Sequence, residues 1–173
     1  MAKMAKGSRD EFTNIVYGSV TETAANTLTF QKIETGYGSL DKTAWLIQRL
    51  EYYPTLATVN ENDTAADIIQ IAITKSNLLS SLVLSSSAVL DLFEFRSHFR
   101  SDIASQDYIA PWSRNFTDLA GGGLLVLPYP LYLGIKCTAH ISVGSAQMRM
   151  FFSTIELSDA QWVELVEQTR LLT

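Results

Sequence analysis

The 173-residue chain reads as an all-β protein: an eight-stranded antiparallel jelly-roll sandwich or barrel with one C-terminal helix. Three observations predict this. Short segments rich in β-branched and aromatic residues recur along the chain, separated by turn residues. Strands and helices do not alternate, which removes a parallel sheet with crossover helices. The strongest helix signal stands at the C-terminal end. Roughly 160 ordered residues also suit eight strands in a jelly roll better than an immunoglobulin sandwich of about 100 residues.

Each element has its own signal. Residues 13–21 (TNIVYGSVT) and 27–35 (TLTFQKIET) are β-rich with a polar break between them, and Gly36-Tyr37-Gly38-Ser39 is a turn cluster. Residues 43–53 (TAWLIQRLEYY) are long and apolar and close at Pro54. A helix competes there, because Leu46, Leu50 and Tyr53 would share a helical face. The aromatic density and the proline stop favour a strand. After a polar loop at 60–64, residues 67–74 place Ile69, Ile71 and Ile73 on one face with a period of two.

The serine- and leucine-rich stretch 76–87 reads as a loop with room for one helical turn. Residues 92–99 alternate again, with Phe93, Phe95, Ser97 and Phe99 opposite Glu94, Arg96 and His98. A long polar connection over 101–118 has room for one strand near 108–112. Residues 124–127 are apolar, and Leu131, Leu133, Ile135 and Cys137 form one face of a strand over 132–138. The last strand is predicted over 147–157 (QMRMFFSTIEL). Ser158-Asp159-Ala160-Gln161 then matches the capping box that opens a helix, expected over 158–172. Trp162, Leu165, Val166 and Leu172 would share one face of it, with Asp159 and Arg170 suiting the helix dipole.

Composition narrows the function classes. Hydrophobic residues are 47% and charged residues 18% of the chain, against a usual charged share of about 25%. That excludes a solvating, disordered chain. No apolar run approaches the roughly 20 residues of a membrane-spanning helix, and no apolar segment follows the N-terminal lysines as in a signal peptide. One cysteine excludes an internal disulfide framework and a multi-cysteine metal site.

Charge is uneven. Three of the 13 basic residues, Lys3, Lys6 and Arg9, fall in the first nine positions, leaving 10 basic against 18 acidic residues, a net of −8. An acidic body repels a phosphate backbone. Residues 1–10 read as a flexible basic arm, and residues 11–173 as a single domain that includes the helix. The arm is either a frayed terminus or a contact to genome, membrane or neighbouring subunit through those three side chains.

The supply of catalytic groups is thin, and no enzyme activity is expected. His98 and His140 are distant in sequence, lack zinc-ligand spacing and read as surface residues. Cys137 lies on an apolar strand face, the setting of an inert buried thiol. Asp63 and Asp67 flank a loop but match no calcium-binding pattern. Gly121-Gly122-Gly123 lacks the ending of a phosphate loop and precedes a strand, so a backbone with unusual φ/ψ or a close approach explains it. Trp45, Tyr52, Tyr53 and Trp112 could form a stacking surface, or serve core and interface packing. No catalytic, cofactor or metal residue is expected.

Three stretches together, residues 44–54 (AWLIQRLEYYP), 121–135 (GGGLLVLPYPLYLGI) and 148–168 (MRMFFSTIELSDAQWVELVEQ), resemble single jelly-roll major capsid proteins of small tailless icosahedral viruses. That resemblance implies a structural subunit without an active site, located in the virion and made in the host-cell cytoplasm. It would self-assemble with copies of itself, and with other capsid proteins, into a shell enclosing the genome. Three basic residues are few beside the long basic arms of many RNA-packaging capsid proteins, so genome contact through the arm would be weak or indirect, and contact with an internal membrane is a further role for it. The alternative is a lectin-like ligand-binding jelly roll that forms a small oligomer. A metal-dependent cupin-like enzyme is the weakest reading, because two histidines fall short of its ligand set.

Overall fold

The computed structural model describes residues 13–35, 42–55, 67–97, 112–140 and 142–171. The basic arm with Lys3, Lys6 and Arg9, the 36–39 turn cluster, the 60–64 loop, Asp63, His98 and most of the 101–118 connection lie outside them. Among the described residues, nine strands and one helix follow in order: β1 (Asn14–Thr21), β2 (Thr29–Lys32), β3 (Thr43–Thr55), β4 (Asp67–Thr74), β5 (Val89–Ser97), β6 (Trp112–Asn115), β7 (Leu124–Val126), β8 (Tyr132–Thr138), β9 (Ser145–Glu156) and α1 (Asp159–Leu171). The strands form two antiparallel sheets, which fit a β-sandwich. Sheet A has the order β1-β9-β3-β6, with β7 also on β3, and sheet B the order β2-β8-β4-β5.

The pairing is nested. Strand β1 pairs with β9, β2 with β8, β3 with β6 and β7, and β4 with β5. The chain thus runs as one long hairpin whose innermost connection joins β4 to β5. The hairpin is then wound so that β9 also meets β3 and β8 also meets β4. Side chains alternate across each strand, so one face of each sheet turns inward. Ile69, Ile71 and Ile73 from β4 and Leu133, Ile135 and Cys137 from β8 meet Val16, Leu50, Met150 and Phe152 of sheet A in one buried core. Each of these aliphatic side chains contributes on the order of 1.5–3 kcal/mol when fully buried.

Residues 43–53 are strand, and a bulge explains their helical look. Ile47 faces Phe152 while Arg49 faces Phe151, so Gln48 is an extra residue in the ladder. Core-facing positions therefore fall at Trp45, Ile47, Leu50 and Tyr52, a spacing that breaks the period of two. The Gln48 carbonyl accepts a bond from the Phe116 N–H at 2.8 Å. There the partner strand breaks: β6 covers residues 49–52 of β3, β7 covers residues 45–47, and 117–123 loops out between them. Gly121 and Gly122 hold φ of 93° and 78° in that loop, and a Cβ on Gly123 would lie 2.7 Å from Leu46 Cγ. The unusual φ expected of the triple glycine is thus found at Gly121 and Gly122, and the close approach at Gly123 is to β3 of the same chain.

Some boundaries move. Strand β3 runs through Pro54 to Thr55, because among the described residues it pairs beyond Tyr52 with β9 alone, and a proline is tolerated where no ladder partner needs its N–H. Of the strand expected near 108–112, residues 108–111 lie outside the described residues; Trp112 opens β6. The 76–87 stretch forms bends and turn bonds, such as Ser86 N–H to the Val83 carbonyl, and contains no helix. The capping box is present: Gln161 N–H donates to Ser158 Oγ, and Ser158 N–H to Gln161 Oε1 at 3.1 Å. Lys42 pairs with Asp159 at 2.6 Å and ties the helix start to β3. Trp162, Leu165 and Val166 are half-buried while Val163, Glu164 and Glu167 are exposed, so the helix has one inward-leaning face.

Candidate functional site

The four singled-out aromatic residues do not share a surface. Trp45 and Tyr52 face inward from β3 and are buried, which corrects their reading as interface aromatics. Alternation on either side of the Gln48 bulge sends both into the core. Tyr53 points to the outer face of sheet A. Trp112 is 38% exposed at the sandwich edge, its ring centroid 5.1 Å from that of Phe93.

Two buried polar clusters stitch the sheets and loops. In the first, Tyr52 donates to Asp91 Oδ2 at 2.9 Å, and Arg114 Nε reaches Asp91 Oδ1 at 3.2 Å. This joins β3 and β6 of sheet A to β5 of sheet B. Burial, then the Asp91 carboxylate, push the Tyr52 hydroxyl well above the usual tyrosine range.

In the second cluster, buried Glu22 accepts bonds from Cys137 N–H at 2.8 Å and Gly144 N–H at 2.9 Å. Burial, reinforced by Glu22, pushes the Cys137 thiol up to about 12, so it is held as an unreactive thiol. Asn26 bonds both the N–H and the carbonyl of His140 through its side-chain amide. That clamp draws the turn onto the end of the sandwich, leaving His140 only 4% exposed, which corrects its reading as a surface residue. Neither cluster gathers three metal-ligating groups, and none is found among the described residues.

The outer face of sheet A is different in kind. Cross-strand register sets Tyr17, Arg149 and Glu51 in one row, and Ser19, Gln147 and Tyr53 in the next. Between these rows lies a hollow of about 240 Å³. Tyr17, Ser19, Tyr53, Gln147 and Arg149 wall it, and Gly18 and Met148, whose inward side is core, floor it. The Arg149 guanidinium lies 5.6 Å from the centroid of the Tyr17 ring and 5.2 Å from that of Tyr53. Its nearest carboxylate oxygen, on Glu51, is 4.0 Å away, beyond hydrogen-bond reach. Glu51 is occupied instead by the Tyr53 hydroxyl at 2.8 Å and by Arg49 at 2.8 Å. Arg49 in turn stacks over Phe151 at 4.2 Å.

Tyr53 was singled out in the sequence; its neighbours in the hollow were not. The available signal was the alternation in β9, where Gln147, Arg149 and Phe151 oppose Met148, Met150 and Phe152. Only the register with β1 and β3 shows what they meet.

Sheet B is covered on the matching side. Leu79 and Leu82 of the β4–β5 connection pack over Leu28, Phe30, Ala72 and Leu92. The same connection leaves Leu78 88% exposed, and Val83 and Leu84 also reach solvent. Leu119 and Tyr129, on the connections before and after β7, are exposed as well.

No protein-family model matches the chain, and no curated protein is significantly similar to it. Among solved structures it is similar to a chain from work described as "Bacillus endospore appendages form a novel family of disulfide-linked pili". The likeness has 12% identity and a TM-score of 0.35, and covers 91% of this chain and 98% of that one.

Proposed function

We propose that this chain is a capsid subunit with a jelly-roll fold, a structural protein that assembles with copies of itself into an icosahedral shell enclosing a genome. The observation that carries the reading is the nested pairing of β1 with β9, β2 with β8, β3 with β6 and β7, and β4 with β5. With β6 and β7 counted as one interrupted strand, eight strands wind as a rolled hairpin over two sheets. Capsid domains, lectin domains and cupins use that arrangement. Exposed Leu78, Val83 and Leu84, three large apolar side chains on one connection, favour the assembling member of that group, and Leu119 and Tyr129 add exposed apolar surface on other connections. Closed symmetric contacts between identical subunits would bury them.

In this reading the protein is located in the virion and made in the host-cell cytoplasm. The arm at residues 1–10 reaches inward to genome or membrane, or across to a neighbour, through Lys3, Lys6 and Arg9.

The test is electron microscopy of the purified protein beside its solution mass, repeated after deleting residues 1–10 and with Leu78→Ser combined with Leu84→Ser. Closed particles from the wild-type chain are expected, with both variants folded but lower in particle yield. A stable monomer or trimer across salt and pH would move the assignment to a ligand-binding module. Unchanged yield without the arm would remove its assembly role.

A further inference from the structure

We infer that the hollow on the outer face of sheet A is a binding site for a single carboxylate-bearing sugar ring. The inference is independent of the assembly reading, because it stands on side chains of one sheet face.

Among the described residues, Arg149, Gln147, Ser19 and the Tyr17 hydroxyl make no side-chain hydrogen bond, yet they converge on one hollow between two aromatic rings. A few convergent polar groups beside aromatic walls are the make-up of a small-molecule site. The volume of about 240 Å³ lies below the roughly 300–1,000 Å³ of sites for drug-sized ligands, so it suits one ring.

Each wall specifies part of the ligand. The tyrosine rings offer flat faces carrying partial negative charge, which suit the C–H face of a pyranose. Ser19 and Gln147 supply donors and acceptors for ring hydroxyls. The Arg149 guanidinium has a planar fork that matches a carboxylate with two parallel bonds. It rests against the two rings, with Glu51 as a long ion-pair partner at 4.0 Å that makes no hydrogen bond to it, so a ligand meets it already placed, and less ordering cost opposes binding.

Charge agrees. The body of the chain is acidic, but among the described outward residues of β1, β9, β3 and β6 on this face, Arg49 and Arg149 stand against Glu51 alone. The face is locally positive, on a protein that otherwise repels anions.

The experiment is a titration of the full chain with glucuronate, N-acetylneuraminate, glucose, acetate and adenosine monophosphate, followed by calorimetry and ligand-observed NMR. Saturable binding of at least one carboxylated sugar is expected, with a Kd on the order of 1 mM. Glucose and acetate should each bind at least about tenfold more weakly, since each offers half of the recognition. Arg149→Gln should abolish the preference for the carboxylated sugar over glucose. Tyr17→Ala should weaken binding about tenfold, and both variants should keep the wild-type unfolding midpoint within a few degrees.

Four results would each overturn the inference. The first is no saturable binding by either carboxylated sugar. The second is acetate or adenosine monophosphate binding as tightly as the sugar, and the third is sugar affinity unchanged in both variants. The fourth is loss of self-association in Tyr17→Ala with no sugar bound by the wild type, which would make the face a subunit contact.

Discussion

On sheet B, the outward side chains of Leu28, Phe30, Ala72 and Leu92 lie beneath Leu79 and Leu82. On sheet A, the outward side chains of Ile15 and Tyr17 lie open, 46% and 65% exposed. Both faces carry more apolar surface than the polar outer face of an ordinary two-sheet sandwich. On one, the chain supplies its own roof, so the apolar surface serves stability. On the other, Ala44, Leu46 and Ser153 are buried at one end, and around Arg49 and Arg149 the arginines are interleaved with aromatic rings by cation–π stacking, which keeps that part of the face ordered and wettable without covering it. An apolar sheet face left open in this way is available for recognition, and the stability of the fold does not depend on it.

The comparison breaks most clearly at Leu82. It is buried on Ala72 and next to Gly134, so Leu82→Ala should lift the β4–β5 connection and cost about 2–4 kcal/mol, read by chemical denaturation. A loss under about 1 kcal/mol would show that the roof contributes little, and that the two faces are alike.

A smaller effect is expected at Gly134, where an added Cβ would lie 2.8 Å from the Phe30 ring. Gly134→Ala should cost about 1–3 kcal/mol by overpacking. Adding Phe30→Leu should recover part of that loss, and a double-mutant cycle measures the coupling. Full additivity would mean that the ring moves aside without strain.

The smallest effect belongs to the open face. Tyr17→Thr keeps a strand-forming residue and removes the stacking partner of Arg149, so a loss of about 0.5–1 kcal/mol is expected. A loss as large as that of Leu82→Ala would mean that Tyr17 is structural, and would erase the contrast.

Much of the fold was legible because local patterns carried it. The isoleucine stripe of β4, the apolar face of β8 and the capping box of α1 each follow from side-chain periodicity or end chemistry within a few residues. Where pattern and structure part, a distant contact intervenes. Residues 43–53 look partly helical because the Gln48 bulge resets the alternation, and the bulge exists opposite a strand broken between β6 and β7. His140 looks like a loop residue until Asn26, 114 positions earlier, clamps its backbone. Glu22 is an unremarked polar residue in the sequence and a buried carboxylate in the fold, because two N–H groups more than 110 positions away complete its shell.

The candidate site divides along the same line. Alternation in β9 alone separates Gln147 and Arg149 from the methionines that enter the core, and alternation in β1 separates Tyr17 and Ser19 from Val16 and Val20. The sequence by itself therefore determined an antiparallel β protein, most of its strands, its helix start and the buried side of β4 and β8, since these depend on neighbours in the chain; the buried side of β3, apolar on both faces and reset at Gln48, was not among them. The order of strands in the two sheets, the roof on one face and the hollow on the other were decided only by tertiary structure. They depend on the register between strands that lie up to 138 residues apart in the chain, as Asn14 and Phe152 do, which no local preference encodes.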